Sequence, residues 1–174
     1  MTLRGIDFTK LSLRDALDLA ILVEEEAQER YEEFADQMIK HHTPDAARFF
    51  RFMADNEAKH GMELALPRVQ LFGRGEHTVS RAMLFDVEAP EYDEARAFMT
   101  PRMAMQAALR AESKAHAFFV AALPQVHDAK VRALFEELRD EEVVHQDLVQ
   151  KELDKLPPDD EIAPDAFADE PTAH

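Results

Sequence analysis

Four stretches of the chain carry apolar residues at every third or fourth position, and each stripe is broken near its middle by a glutamate. In the second stretch the stripe reads Ala46, Phe50, Met53, Glu57, His60 and Leu64. The first gives Leu17, Ile21, Glu24, Gln28, Tyr31, Ala35 and Met38. The third gives Met105, Ala108, Glu112, Ala115, Phe119 and Ala122, and the fourth Val131, Phe135, Leu138, Glu142, His145 and Val149. This spacing is the period of an amphipathic helix that turns its apolar face to a core. An all-α bundle of four helices follows, and every helix carries a carboxylate into its interior. A buried carboxylate without a partner costs several kcal/mol or takes up a proton, and four of them repel one another as well. A domain whose whole stability is ~5–15 kcal/mol does not carry that layer unless positive charge sits within it.

Helix signals fix the level at which the acids meet. The first segment is expected from Ser12, as N-cap with Asp15 three residues on, to Lys40. Thr43 and Pro44 begin the second as N-cap and first-turn proline, and it runs to Phe72 before Gly73-Arg74-Gly75, with Pro67 expected to kink its last turns. The third spans Pro101 to Leu123, and the fourth Asp128 to Leu156 before Pro157 and Pro158. Glu24, Glu57, Glu112 and Glu142 then lie near the helix midpoints, which share a level in a bundle whichever way each helix points. Tight connections make the first and second helices one antiparallel hairpin and the third and fourth another. Residues 73–100 form a long crossover between the hairpins, with a short helix possible around Asp93–Phe98. One domain, residues 1–156, is followed by an acidic, proline-rich tail, 157–174, expected to be disordered.

Composition narrows the chemistry. A formal net charge of −16 argues against nucleic acid or an anionic membrane as partner and favours cations. The chain has no apolar run long enough to span a bilayer, and its start, "MTLRGIDFTKLSLRD", lacks a signal-peptide core, so a cytoplasmic location is expected. There is no cysteine, so any metal is held by Glu, Asp and His. One Glu-x-x-His on a helix is commonly a surface pair. Two of them, Glu57–His60 and Glu142–His145, both on seams and level with Glu24 and Glu112, are a metal pattern. Two divalent ions bring the four positive charges that four glutamates cancel, and neutral histidines complete the coordination. Oxygen and nitrogen ligands without sulfur suit iron or manganese, with zinc the common substitute. Redox chemistry in a dry helical pocket favours iron.

Glu24 followed by Glu57-Ala58-Lys59-His60, and Glu112 followed by Glu142-Val143-Val144-His145, resemble the ferritin-like di-iron superfamily and its rubrerythrin branch. "EEEAQERY" in the first helix is similar to the branch's pattern of a ligand Glu seven residues before a Tyr, which selects Glu24 over Glu25 and Glu26. "ADNEAKH" also looks like that branch, and the resemblance covers residues 12–156. It implies a ferritin-like four-helix bundle of two antiparallel hairpins joined by a long crossover. It also implies a site of two iron ions, oxo- or hydroxo-bridged when oxidised, with manganese or zinc as alternatives. Glu57 and Glu142 are expected to bridge, with Glu24 and Glu112 capping one ion each.

The implied reaction is oxidation of a di-ferrous pair by hydrogen peroxide or dioxygen. Tyr31 is the candidate catalytic side chain, with a core tyrosine as its alternative. Rival readings are a ferroxidase for iron storage and a metal-binding bundle without turnover. The family's further glutamate, three residues after the third-helix ligand, is here Ala115, with His116 beside it. No cysteine-ligated rubredoxin module is present, so electrons are expected from an external donor protein. Fe(II) and a homodimer or larger homo-oligomer complete the expected partners.

Overall fold

The computed structural model describes residues 12–81 and 100–158. Four helices account for nearly all of them: α1, Leu13–Lys40; α2, Pro44–Phe72; α3, Pro101–Ala122; and α4, Ala129–Leu153. Three of them begin on a side-chain cap. At α1 the Ser12 hydroxyl accepts from the Asp15 N–H at 3.1 Å and the Asp15 carboxylate accepts from the Ser12 N–H at 3.0 Å, a capping box. The Thr100 hydroxyl accepts from the Met103 N–H at 3.1 Å, and the Asp128 carboxylate accepts from the Lys130 and Val131 N–H groups at 3.0 Å.

Three ends differ from expectation. Thr43 precedes α2, but its side chain caps nothing there. Its hydroxyl donates to the Met38 carbonyl at 2.9 Å, closing the end of α1 beside His42, whose φ of 56° makes the reversal. The helix α3 stops at Ala122, and Leu123–Gln125 tighten into a 3₁₀ turn around Pro124. The helix α4 stops at Leu153, three residues short of Leu156, and Arg102 of α3 donates to the carbonyls of Leu153, Leu156 and Pro157 beyond its last turn. As expected, α2 runs through Pro67 to Phe72 and closes at Gly73, where a φ of 72° suits glycine. The expected helix at Asp93–Phe98 and the tail beyond residue 158 lie outside the described residues.

α1 packs chiefly on α2 and α3 on α4, the two expected hairpins, which meet through α1 against α3 and α2 against α4. Every seam residue named above is buried except Gln28 and Ala115, which are half-buried. The apolar interior falls into two clusters. One, around Leu17, Leu64, Phe119 and Phe135, gathers the start of α1, the end of α2, the end of α3 and the start of α4. The other, around Tyr31, Phe50, Met105 and Val149, lies at the opposite end. The charged residues of the seams separate them.

The path out of α2 is pinned by a buried ion pair. Asp18 and Arg68 lie 50 residues apart and are both buried; the guanidinium donates to the Asp18 carboxylate at 2.7 Å and to the carbonyls of Gly73 and Glu76 at 2.7 and 3.1 Å. The Thr78 N–H donates to the same carboxylate at 3.0 Å. Burial raises the Asp18 pKa, but the bonds from Arg68 and Thr78 outweigh it and hold the carboxyl below its ordinary value. Arg81 then pairs with Glu29 at 2.6 Å, leading the crossover onto α1. Asp18→Ala strands Arg68 in the interior, so the expected loss of stability in a urea melt is well beyond the ~1 kcal/mol of an exposed pair. A loss within that range would show the clasp to be incidental.

Candidate metal centre

The helical period turns one side chain of each seam into the same layer, and six ligand-type residues meet there. Glu24 comes from α1, Glu57 and His60 from α2, Glu112 from α3, and Glu142 and His145 from α4, none more than 5 % exposed. In α2 and α4 the Glu and His are one turn apart, so both point inward from one helix face.

The side chains form two compact groups that share one member. Glu24, Glu57 and His60 bring ligand atoms within 4.8 Å of one another, and so do Glu57, Glu112 and His145. His60 Nδ1 lies 3.4 Å from Glu57 Oε2 and 3.6 Å from Glu24 Oε2. His145 Nδ1 lies 3.2 Å from Glu57 Oε1 and 3.3 Å from Glu112 Oε2. Glu57 thus offers one carboxylate oxygen to each group. The two imidazoles stack between them, with centroids 5.5 Å apart and planes 14° from parallel. Glu142 enters neither compact group; its Oε2 stands 3.9 Å from His145 Nδ1, at the edge of the second.

Several of these atoms lack what an interior polar atom requires. Glu24 Oε1, both Glu57 oxygens, His60 Nδ1 and Glu142 Oε2 are buried and complete no hydrogen bond. Such atoms are costly unless something else satisfies them. Oxygen and imidazole donors without sulfur, converging on two neighbouring points, fit iron, manganese or zinc.

Without metal, the layer moderates its charge with protons. Burial pushes the Glu24 carboxyl up to about 8, and neighbouring Glu57 adds to the shift against the pull of the facing His60 imidazole. Burial likewise raises Glu142 well above its ordinary value, reinforced by Glu112. Burial also works on Glu57, but the attraction of the His145 and His60 imidazoles that face it prevails and holds it down to about 2. Burial lowers both histidines, yet the carboxylates facing them overcome it and bring His60 and His145 to about 10. The metal-free centre therefore holds protons that a cation displaces.

Of the other candidates, Tyr31 is buried, stacks on Phe50 at 5.9 Å and meets Phe34 edge-on, and its hydroxyl completes no hydrogen bond. It therefore bonds none of the six. His116 and Ala115 are half-buried and belong to neither group. Glu63 pairs with Lys59 at 3.6 Å on the surface. The seams did not identify Glu141, whose carboxylate meets His60 Nε2 from α4. Its signal was the acid immediately before Glu142, turned a quarter of the way round α4 from the seam.

Fold and centre together define a ferritin-like four-helix bundle with a carboxylate–histidine site suited to two metal ions. The family model described as Rubrerythrin matches residues 15–153. The chain belongs to the rubrerythrin family. A crystal structure of an uncharacterised conserved protein from Magnetospirillum magnetotacticum MS-1 is similar over 85 % of this chain and 97 % of that one, with 29 % identity and a TM-score of 0.72. No curated protein matches the sequence. No described helix is long and apolar enough to cross a membrane.

Proposed function

We propose that this chain is a di-iron oxidoreductase of rubrerythrin type that reduces hydrogen peroxide, or dioxygen in its place, at the centre formed by Glu24, Glu57, His60, Glu112, Glu142 and His145. The observation that carries this reading is the position of Glu57, one oxygen in each of two adjoining ligand groups. Two neighbouring ions are what a two-electron reduction needs. When bound, a ferrous pair supplies one electron from each ion, enough to convert one peroxide and two protons to two waters.

The chain's own residues do the rest. His60 and His145 would hold the ions with the nitrogens that face the acids, and Glu24, Glu57 and Glu112 would supply the carboxylates around them. Glu142, beside His145, completes the second position. The Phe, Leu and Met clusters above and below keep bulk water from the layer. Tyr31, a buried phenol in the adjoining cluster, is the candidate side chain for electron transfer. Electrons return from a donor protein. A homodimer is the assembly that accompanies this reading. The rival ferroxidase reading draws on the net charge of −16, which attracts Fe(II).

Anaerobic Fe(II) titration of metal-free protein, followed by a pulse of peroxide or air, tests the proposal. The expected result is two irons per chain, with an oxidised near-ultraviolet band that grows faster with peroxide. Faster reaction with air and uptake well beyond two irons would replace it with ferroxidase chemistry. No uptake would remove the di-iron reading.

A further inference from the structure

His60 faces carboxylates at both nitrogens. Its Nδ1 faces Glu24 and Glu57, while its Nε2 faces the carboxylate of Glu141, which reaches across from α4 to α2. Glu141 differs in kind from the six: 36 % of its side chain is exposed, against 4 % for His60. It stands at the seam between α2 and α4 with one end in solvent and one oxygen on a buried imidazole. Among the described residues, Glu141 is the carboxylate that pairs with His60 Nε2.

The two Glu-x-x-His turns are not equivalent at this place. Glu141 immediately precedes Glu142, and the residue that immediately precedes Glu57 is Asn56. The bundle therefore puts an anion before one motif and a neutral amide before the other. A carboxylate that accepts the outer N–H of an imidazole fixes the ring's orientation and leaves the inner nitrogen free for a metal. It also makes that nitrogen a stronger donor.

Building on the metal reading above, we infer that Glu141 is the positioning residue of His60 and makes the Glu24–Glu57–His60 position the first and tighter to fill. Its carboxylate accepts the Nε2 proton and keeps Nδ1 aimed at Glu24 and Glu57. The ring does not swing toward the α2–α4 groove when a cation enters. The position around His145 fills second.

The test compares the full-length wild type with Glu141→Ala, Glu141→Asp and, as a surface control, Glu137→Ala one turn earlier on α4. Co(II) is the probe, followed by visible absorbance, and nitrogen-15 NMR of the imidazoles is recorded in the metal-free protein. In the wild type and in Glu137→Ala, the His60 Nε2 proton should be protected from exchange and Co(II) should bind in two steps. In Glu141→Ala the protection disappears, and the first step weakens roughly 10- to 100-fold while the second is kept. Glu141→Asp restores part of both.

A Glu141→Ala protein that keeps its proton signal and both steps overturns the role given to Glu141. Wild type that takes up no Co(II) overturns the metal reading, and the order of filling with it. Loss of both steps in Glu141→Ala, with an unchanged circular dichroism melt, overturns the assignment to one position.

Discussion

Glu57→Ala is expected to cost the protein both metal ions, whereas Glu24→Ala is expected to cost one. Glu57 is the one residue common to the two ligand groups, with Oε2 3.4 Å from His60 and Oε1 3.2 Å from His145. Glu24 belongs to the first group alone, so its loss leaves Glu57, Glu112 and His145 in place. After equilibration with Fe(II) or Co(II) and gel filtration, metal analysis should give two ions per chain for wild type, one for Glu24→Ala and near zero for Glu57→Ala. The fall from two to near zero is the larger effect because each position loses an anionic ligand and both histidines lose the carboxylate that faces them. Equal stoichiometry in the two variants would show that the centre is not built around a shared carboxylate.

The second large effect is on stability and depends on pH. Glu24 has a folded-state pKa raised from 4.5 to about 8, and His60 and His145 are raised from 6.5 to about 10. Groups raised on folding make the native state bind more protons than the unfolded chain, so stability falls as pH rises through the interval. The histidine contribution is fully present below 6.5 and is gone once pH has passed about 10. Glu24 begins to oppose folding above 4.5 and does so fully above about 8. Glu57 runs the other way, but its contribution is lost only as pH falls from 4.5 through about 2, outside this window.

The metal-free protein should therefore melt at a lower temperature at about pH 9 than at about pH 6. Metal reverses the trend. Binding releases the protons held by Glu24, Glu142, His60 and His145, so affinity rises with pH. One ion at a hundred times its dissociation constant adds about 2.7 kcal/mol. The gap between the melting temperatures of Zn(II)-loaded and metal-free protein is accordingly expected to widen from about pH 6 to about pH 9. Calorimetry on the two forms measures it directly, and a gap that is absent or narrows with pH would count against a proton-holding metal centre.

The sequence made the bundle and its polar layer legible because both follow from one periodicity. A glutamate on an apolar seam is visible in a list of residues, and its depth follows from the helix ends, so small errors at those ends did no harm. The helix α4 stops three residues early and Thr43 bonds backward to Met38, yet neither change moves Glu142 or Glu57 out of the layer. What stayed hidden were contacts between side chains lying off the seams. Asp18 and Arg68 are 50 residues apart, and only the meeting of α1 with the end of α2 makes them a pair. Glu141 sits beside the seam of α4, and its partner, His60, belongs to another helix. The division of labour between Glu57 and Glu142 was equally invisible. Both head the same motif, and only side-chain geometry sets Glu57 in both groups and Glu142 beside one.

The shared carboxylate has a mechanical consequence. Its two oxygens are fixed to one planar carbon, so they cannot be adjusted independently. A rotation about the last bonds of Glu57 that brings Oε2 closer to one ion swings Oε1 relative to the other. The two positions are thus joined by a short rigid lever, and whichever fills first sets the angle at which the second receives its ligand. Were ions bound at both positions, occupancy at one end would reach the other through the Glu57 side chain.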